Sequence, residues 1–329
     1  MKIDYTQSVY TNYYYASTRA YLKTHALLYT EHIERLLSAR DVAECVRVLE
    51  DTYLAPFLVD ANMNVSNAVE AHVASVKHEI VSMAPEPRIL DILWLKYDFI
   101  NVRTIAKGIR AQLASEAILG LCFQTGTIPP GVLLDAYTAH TLRHLHDGFL
   151  CIQNIAESNG TAYEIDVAKN KAYFSALRTL QKSIKDPFVA KYIVVLIDLY
   201  NLKTALRIPR LNSGLKAENF FVPGGTFVPI ELKTTDDACK RLMSYQQGQM
   251  KTAVEAYNEC GGFEHIDRAM DEFQIEFLRK EAYALWSVAP LFVYFIASKN
   301  NAQRIRTIVS AKSNGIPEAD LRALLRKKI

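Results

Sequence analysis

The 329-residue chain is predicted to be all-α, folded as three pseudo-repeated helical bundles, and three observations lead there. Apolar residues recur at three- and four-residue steps over long windows, the period of an amphipathic helix. Glycine, proline and asparagine cluster between those windows. A proline-headed helical pattern returns at intervals of 100 and 103 residues, which makes a repeat the first thing to explain.

The helical windows run over 13–29, 31–50, 65–83, 89–110, 132–156, 167–184, 189–207, 240–258, 266–286, 291–309 and 319–328. A tyrosine group, Tyr10, Tyr13, Tyr14, Tyr15 and Tyr21, opens the first and is expected to pack on its own bundle. Pro85-Glu-Pro87 separates the third window from the fourth, and Gly126-Thr-Ile-Pro129-Pro130-Gly131 the fourth from the fifth. Ser158-Asn-Gly160, Pro223-Gly-Gly225, Gly261-Gly262 and Asn314-Gly315 punctuate the rest. Only 220–230, rich in β-branched and aromatic residues, reads as extended, and its length suits a loop or small hairpin.

From Pro87 the chain runs ten residues to Asp98-Phe-Ile-Asn101-Val-Arg103-Thr104. From Pro187 it runs ten to Asp198-Leu-Tyr-Asn201-Leu-Lys203-Thr204, and from Pro290 ten to Asn301-Ala-Gln-Arg304-Ile-Arg306-Thr307. A glycine and then a proline follow each copy, at Gly126 and Pro129, Gly225 and Pro229, Gly315 and Pro317. Proline is tolerated in a first helical turn and stops the helix before it, so each copy marks a helix–corner–helix module. In the first copy Ile92, Leu95, Phe99, Val102, Ala106 and Ile109 form one apolar stripe. Modules of about 100 residues each hold a small core, so the expected bundles span 1–120, 121–220 and 221–329.

Half of the residues are apolar and 22% are charged, which suits packed cores and excludes a disordered chain. The net charge of +3 does not argue for nucleic acid, and it is concentrated at the C-terminal end, where 299–329 holds eight basic residues and two acidic ones. Arg322, Arg326, Lys327 and Lys328 there suit lipid headgroups, acidic loops or a solvated helix end. The five cysteines form no C-x-x-C pair and suit reduced thiols in the cytosol. Met1-Lys-Ile-Asp-Tyr5 lacks the apolar core of a signal peptide. The uncharged stretch 282–298 would reach only about 25 Å as a helix, short of the roughly 30 Å hydrocarbon core, and Pro290 interrupts it.

The motifs Leu95-Lys-Tyr-Asp98-Phe-Ile-Asn101-Val-Arg103, Asp198-Leu-Tyr-Asn201-Leu-Lys203-Thr-Ala-Leu-Arg207, Phe220-Phe-Val-Pro-Gly224-Gly225-Thr-Phe227 and Ser313-Asn-Gly315-Ile-Pro317 together resemble the C-type subunit of bacterial and archaeal V/A-type rotary ATPases, whose eukaryotic counterpart is the d-type subunit of the V-ATPase. The family's Asp-x-x-Asn-Leu-basic pattern is complete at Asp198, has Val102 for leucine in the first copy, and departs in the third, where Asn301 and Arg304 take the polar places. The resemblance implies a funnel of three bundles with a central cavity, no active site and no cofactor. It implies a peripheral subunit on the cytoplasmic face of the membrane, monomeric within its complex. Its partners would be the central-shaft subunits of D and F type and the proteolipid ring, seated together for ATP-coupled proton or sodium transport. Neither nucleic acid nor a small-molecule substrate is expected.

The candidate contact residues are cations. Lys96, Arg103, Lys107 and Arg110 fall within about 60° on a helical wheel, and Lys203, Arg207 and Arg210 repeat the last three places. The third copy keeps only Arg306. These stripes are expected to line the socket and meet acidic groups of the shaft, guiding docking more than supplying affinity; a solvated helix face is the plainer alternative. Asp98, Asn101, Asp198 and Asn201 are expected to bond within their own modules.

No Gly-Lys pair exists anywhere, so a phosphate loop is excluded, and H-E-x-x-H and G-x-S-x-G are missing too. His140-x-x-x-His144-x-His146 would place two histidines on one helix face, but nothing completes a metal set, so no metal is expected. The rival readings are a helical-repeat scaffold for unrelated partners and a metal-dependent helical enzyme built on those histidines.

Overall fold

The computed structural model describes residues 13–28, 30–184, 186–208, 217–227, 232, 234–248 and 250–324. All regular structure among them is helical. The α-helices are α1 (Tyr14–His25), α2 (Thr30–Ser38), α3 (Val42–Glu50), α4 (Ala55–Asp60), α5 (Val65–Met83), α6 (Asp91–Arg110), α7 (Ser115–Gly120) and α8 (Pro130–Thr138). They continue with α9 (Asp147–Glu157), α10 (Ala162–Ile184), α11 (Pro187–Arg207), α12 (Thr235–Ser244), α13 (Lys251–Cys260), α14 (Glu264–Glu281), α15 (Ala289–Ser313) and α16 (Glu318–Leu324).

The window 65–83 is one helix, as expected, because the Asn64 side chain caps its start by accepting from Asn67 N. The window 31–50 is two helices. Asp41 in extended backbone caps α3 by accepting from Glu44 N, and Glu44 reaches back to Arg40 N. The window 132–156 also breaks: His140 takes a left-handed φ of 54°, and His146 in extended backbone caps α9, its Nδ1 accepting from Gly148 N at 2.9 Å. The described part of 220–230 forms a 3₁₀ turn at Ala217–Phe220 and then loop.

The three repeat prolines all stand at helix starts. Pro187 and Pro290 lie in the first turns of α11 and α15, and Pro87 opens the 3₁₀ turn Pro87–Leu90 that runs into α6. Before α11 the Asp186 carboxylate accepts from Val189 N at 2.9 Å, completing the cap.

The chain packs as two compact units, Met1–Pro87 with Ala256–Ile329, and Arg88–Glu255. In the first, α15 lies along α1 and α5. Its opening half is apolar around most of its circumference, so Leu291, Phe292, Val293 and Phe295 are all buried. Facing residues Ala16 and Ala20 of α1 are small, which lets the helices approach closely.

This unit also buries His72, whose ring packs on Tyr53 at 4.5 Å and Phe57 at 5.3 Å. Burial and then Lys23 pull its pKa down to about 4, with Glu79 opposing. As pH falls below the ordinary value of about 6.5, the unfolded chain takes up a proton that the folded ring refuses until about 4. Up to about 3 kcal/mol of stability is therefore lost across that window. Urea titrations of the wild type and His72→Gln should diverge between pH 6.5 and 4, the variant showing the shallower decline.

In the second unit α10 packs on α9 and α6, α8 on α6, and α11 on α12 and α10. Phe99 sits at the centre with Phe149 at 4.8 Å and Tyr173 at 6.0 Å, beside Val102, Ile105 and Ile152. The predicted stripe on α6 is the buried face, Leu95 and Ile109 being partly buried at its margin.

Candidate partner interface

Two polar staples fix α6 and α11 to loops that follow them. Asn101 Nδ2 donates to Phe123 O at 2.8 Å and its Oδ1 accepts from Phe123 N at 2.8 Å. Asn201 does the same with Val222, at 2.8 and 2.9 Å. A side-chain amide offers one donor and one acceptor side by side, the complement of a single residue's backbone, and that is why asparagine stands here. One turn earlier Asp98 accepts from Thr127 N and Ile128 N, both at 3.1 Å, and from the Thr127 hydroxyl. Asp198 accepts from Thr226 N at 2.7 Å, the Thr226 hydroxyl at 2.6 Å and the Tyr245 hydroxyl at 3.1 Å. Both carboxylates are fully buried, and their hydrogen bonds replace the water they give up.

The glycines of these loops follow from the same contacts. A Cβ on Gly126 would lie 2.1 Å from Asp98 Oδ1, and one on Gly225 2.3 Å from Asp198 Oδ1. Only glycine lets the backbone come that close. All four polar residues bond within the chain, as expected, but their partners Phe123, Thr127, Val222 and Thr226 stand in the loop after each helix, beyond the module boundaries expected at 120 and 220. The third copy has diverged: among the described residues Asn301 is buried with Nδ2 unbonded, and Arg304 is half-buried with Nε and Nη1 unbonded. Burial pulls the Arg304 pKa below its ordinary value, Glu34 opposing.

The cations of α6 project from the side of the helix away from the staple, about 120–180° around from Asp98. Arg103 Nη1 donates to Asp166 Oδ1 at 3.3 Å and Lys107 Nζ to Asp166 Oδ2 at 2.8 Å, so α10 supplies their acceptor. Arg110 donates to Gly160 O, and Lys96 stands 5.2 Å from the centroid of the Tyr97 ring. In the other unit Arg306 bonds Glu70 and Ser66 O. Lys203 and Arg207 are half-buried on α11, and Arg210, like Arg326, Lys327 and Lys328, lies outside the described residues. Arg103, Lys107, Arg110 and Arg306 each hold an acceptor of their own fold, and the bonds of Arg110 and Arg306 are open to solvent. Asp166 and Lys169, absent from the candidate stripe, belong to the same site, because α10 delivers them to α6 from about 60 residues away.

No group of three metal-ligating side chains occurs among the described residues. The shared helix face expected for His140 and His144 does not exist, since a left-handed residue, a 3₁₀ turn and a cap interrupt that stretch. Among the described residues no helix is long and apolar enough to cross a membrane.

Buried polar staples, packed helices and paired surface cations are what the described residues present, in an all-helical chain. The chain belongs to the family of ATP synthase (C/AC39) subunits, whose model matches residues 16–324, and so is a non-catalytic subunit of the V/A-type rotary ATPase class. It is 21% identical to the C subunit of the A-type ATP synthase of Methanocaldococcus jannaschii, over 95% of this chain and 86% of that one. It is 25% identical to the protein of the same name from a Desulfurococcus species, over 96% and 91%. With the C subunit of the V-type sodium ATPase of Enterococcus hirae it shares 20% identity, over 92% and 94%.

Proposed function

We propose that this chain is the central-stalk adaptor of a V/A-type ATPase. It seats the D- and F-type shaft subunits on the proteolipid ring and transmits torque between them, at the cytoplasmic face of the membrane and as one copy per complex. The observation that carries the reading is the family match over 16–324, which takes in the described staples and both units. A shaft and a ring of many identical subunits differ in symmetry and width, so a coupling piece between them has to resist deformation. Close-packed helices with hydrogen-bonded corners have that property. Three modules around a central cavity, each opened by its proline, are the arrangement this role calls for.

Reconstitution tests it. Shaft, ring and the catalytic sector are assembled in vesicles with and without this chain, and ATP-driven ion uptake is measured beside ATP hydrolysis. Uptake is expected to fall to background without the chain while hydrolysis persists. Equal uptake in both preparations ends the proposal.

A further inference from the structure

Where α6 meets α10, three cations gather around one carboxylate. Arg103 and Lys107 share Asp166, and Lys169, on the same helix as Asp166, is electrostatically coupled to all three. The one hydrogen bond of Lys169 among the described residues goes to Asn170 Oδ1, a neutral acceptor. Arg103 Nε is buried with no acceptor among the described residues. The group therefore holds two more positive charges than negative ones, and its side chains are only about a third exposed, where water screens them incompletely. Burial, Arg103 and Lys107 pull the Lys169 pKa down to about 8, against Asp166, the response of an ammonium that lacks a counter-charge.

The comparable position in the other unit shares the unbonded Nε but not the charge ratio. Arg306, the third copy's equivalent of Arg103, also has a buried Nε without an acceptor among the described residues, yet it faces Glu70, for which no second cation competes among the described residues. In that copy one cation and one carboxylate suffice where the helix packs. The two additional cations at α6 and α10 are surplus to that need. Surplus like charge lowers fold stability, and a partner of opposite charge relieves it. The cations lie on a helix face, outside the clefts of about 390 and 420 Å³ in this unit, which are lined by other residues of α10, by Asp186, Pro187 and Ala190 at the start of α11 and by the 221–224 loop. A free small anion needs a pocket, whereas a side chain presented by a partner does not.

We propose that Arg103, Lys107 and Lys169 form a receiving site for an acidic helix of the shaft, with Asp166 holding the outer cations in position until its carboxylates arrive. The proposal rests on the stalk reading for the partner, and on the charge imbalance for the chemistry. Asp166 is then an internal competitor as well as an organiser, which sets the sign of its substitution.

The test measures binding of the purified D- and F-type shaft subunits to the full chain. Asp166→Asn should tighten binding about three- to tenfold, and Lys169→Gln should weaken it about tenfold or more. Both variants are first checked for unchanged helical circular dichroism. A cluster that serves only to pack α6 on α10 gives the opposite result for Asp166→Asn, weaker or unchanged binding, and that outcome overturns the proposal, as does wild-type affinity in Lys169→Gln. If the wild-type chain binds no shaft, the stalk reading fails by itself. A helical peptide with glutamates four residues apart, against its glutamine version, then decides the site: preference for glutamate lost in Lys169→Gln supports it, and equal binding of the two peptides refutes it.

Discussion

Asp198→Ala is expected to lower the unfolding free energy by about 3–5 kcal/mol, measured by urea denaturation of the full chain. The carboxylate is fully buried and takes three hydrogen bonds, from Thr226 N, the Thr226 hydroxyl and the Tyr245 hydroxyl. Alanine leaves those donors in an interior closed to water, and each stranded group costs about 1–3 kcal/mol. The two hydroxyls are able to rotate toward other acceptors, but the Thr226 amide is fixed by its backbone, so the sum falls short of three full penalties. Asp198→Asn is the control. It retains one acceptor oxygen in the same volume and is expected to lose about half as much. A loss below 1 kcal/mol for alanine would mean that the loop is held by something other than its staple.

The legible and illegible parts of this fold separate by sequence distance. Stripe, caps and prolines are local, and Ile92, Phe99, Val102 and Ala106 are buried as their spacing predicts. The broken window 31–50 had a local signal too: Asp41 stands three residues before Glu44, a capping arrangement inside an apolar run. The long apolar period outweighed it. The staples were half legible. Asp98, Asn101 and Gly126 were visible as repeated residues, but the 22- to 30-residue reach that joins side chain to loop backbone follows from folding, not from pattern. The shared Gly-Thr pairs, Gly126-Thr127 and Gly225-Thr226, were the available clue. The cation stripe was half legible for the same reason. Arg103 and Lys107 look solvent-facing on a wheel of α6 alone, and only the crossing of α10 brings Asp166 to them.

Gly126→Ala should destabilise the chain by about 2–4 kcal/mol, and the reason makes it a test of the staple rather than of glycine in general. The added methyl would sit 2.1 Å from Asp98 Oδ1 and 3.4 Å from Ile128 O. Asp98 is fully buried and tied to the same loop by the amides of Thr127 and Ile128, so it cannot withdraw without losing those bonds. The loop must lift, and the bonds to Asp98 break with it, an overpacking strain of about 1–3 kcal/mol added to the lost hydrogen bonds. Gly120→Ala is the comparison, since nothing lies within 4 Å of its would-be methyl; it should change stability by less than about 1 kcal/mol. The decisive measurement is a double-mutant cycle. In an Asp98→Ala background the obstructing oxygen is gone, so Gly126→Ala should then cost little, giving a coupling of at least about 2 kcal/mol. Additive losses would place the strain of Gly126→Ala in the loop's own backbone, and the carboxylate would cease to be the reason that glycine follows the first copy of the repeat.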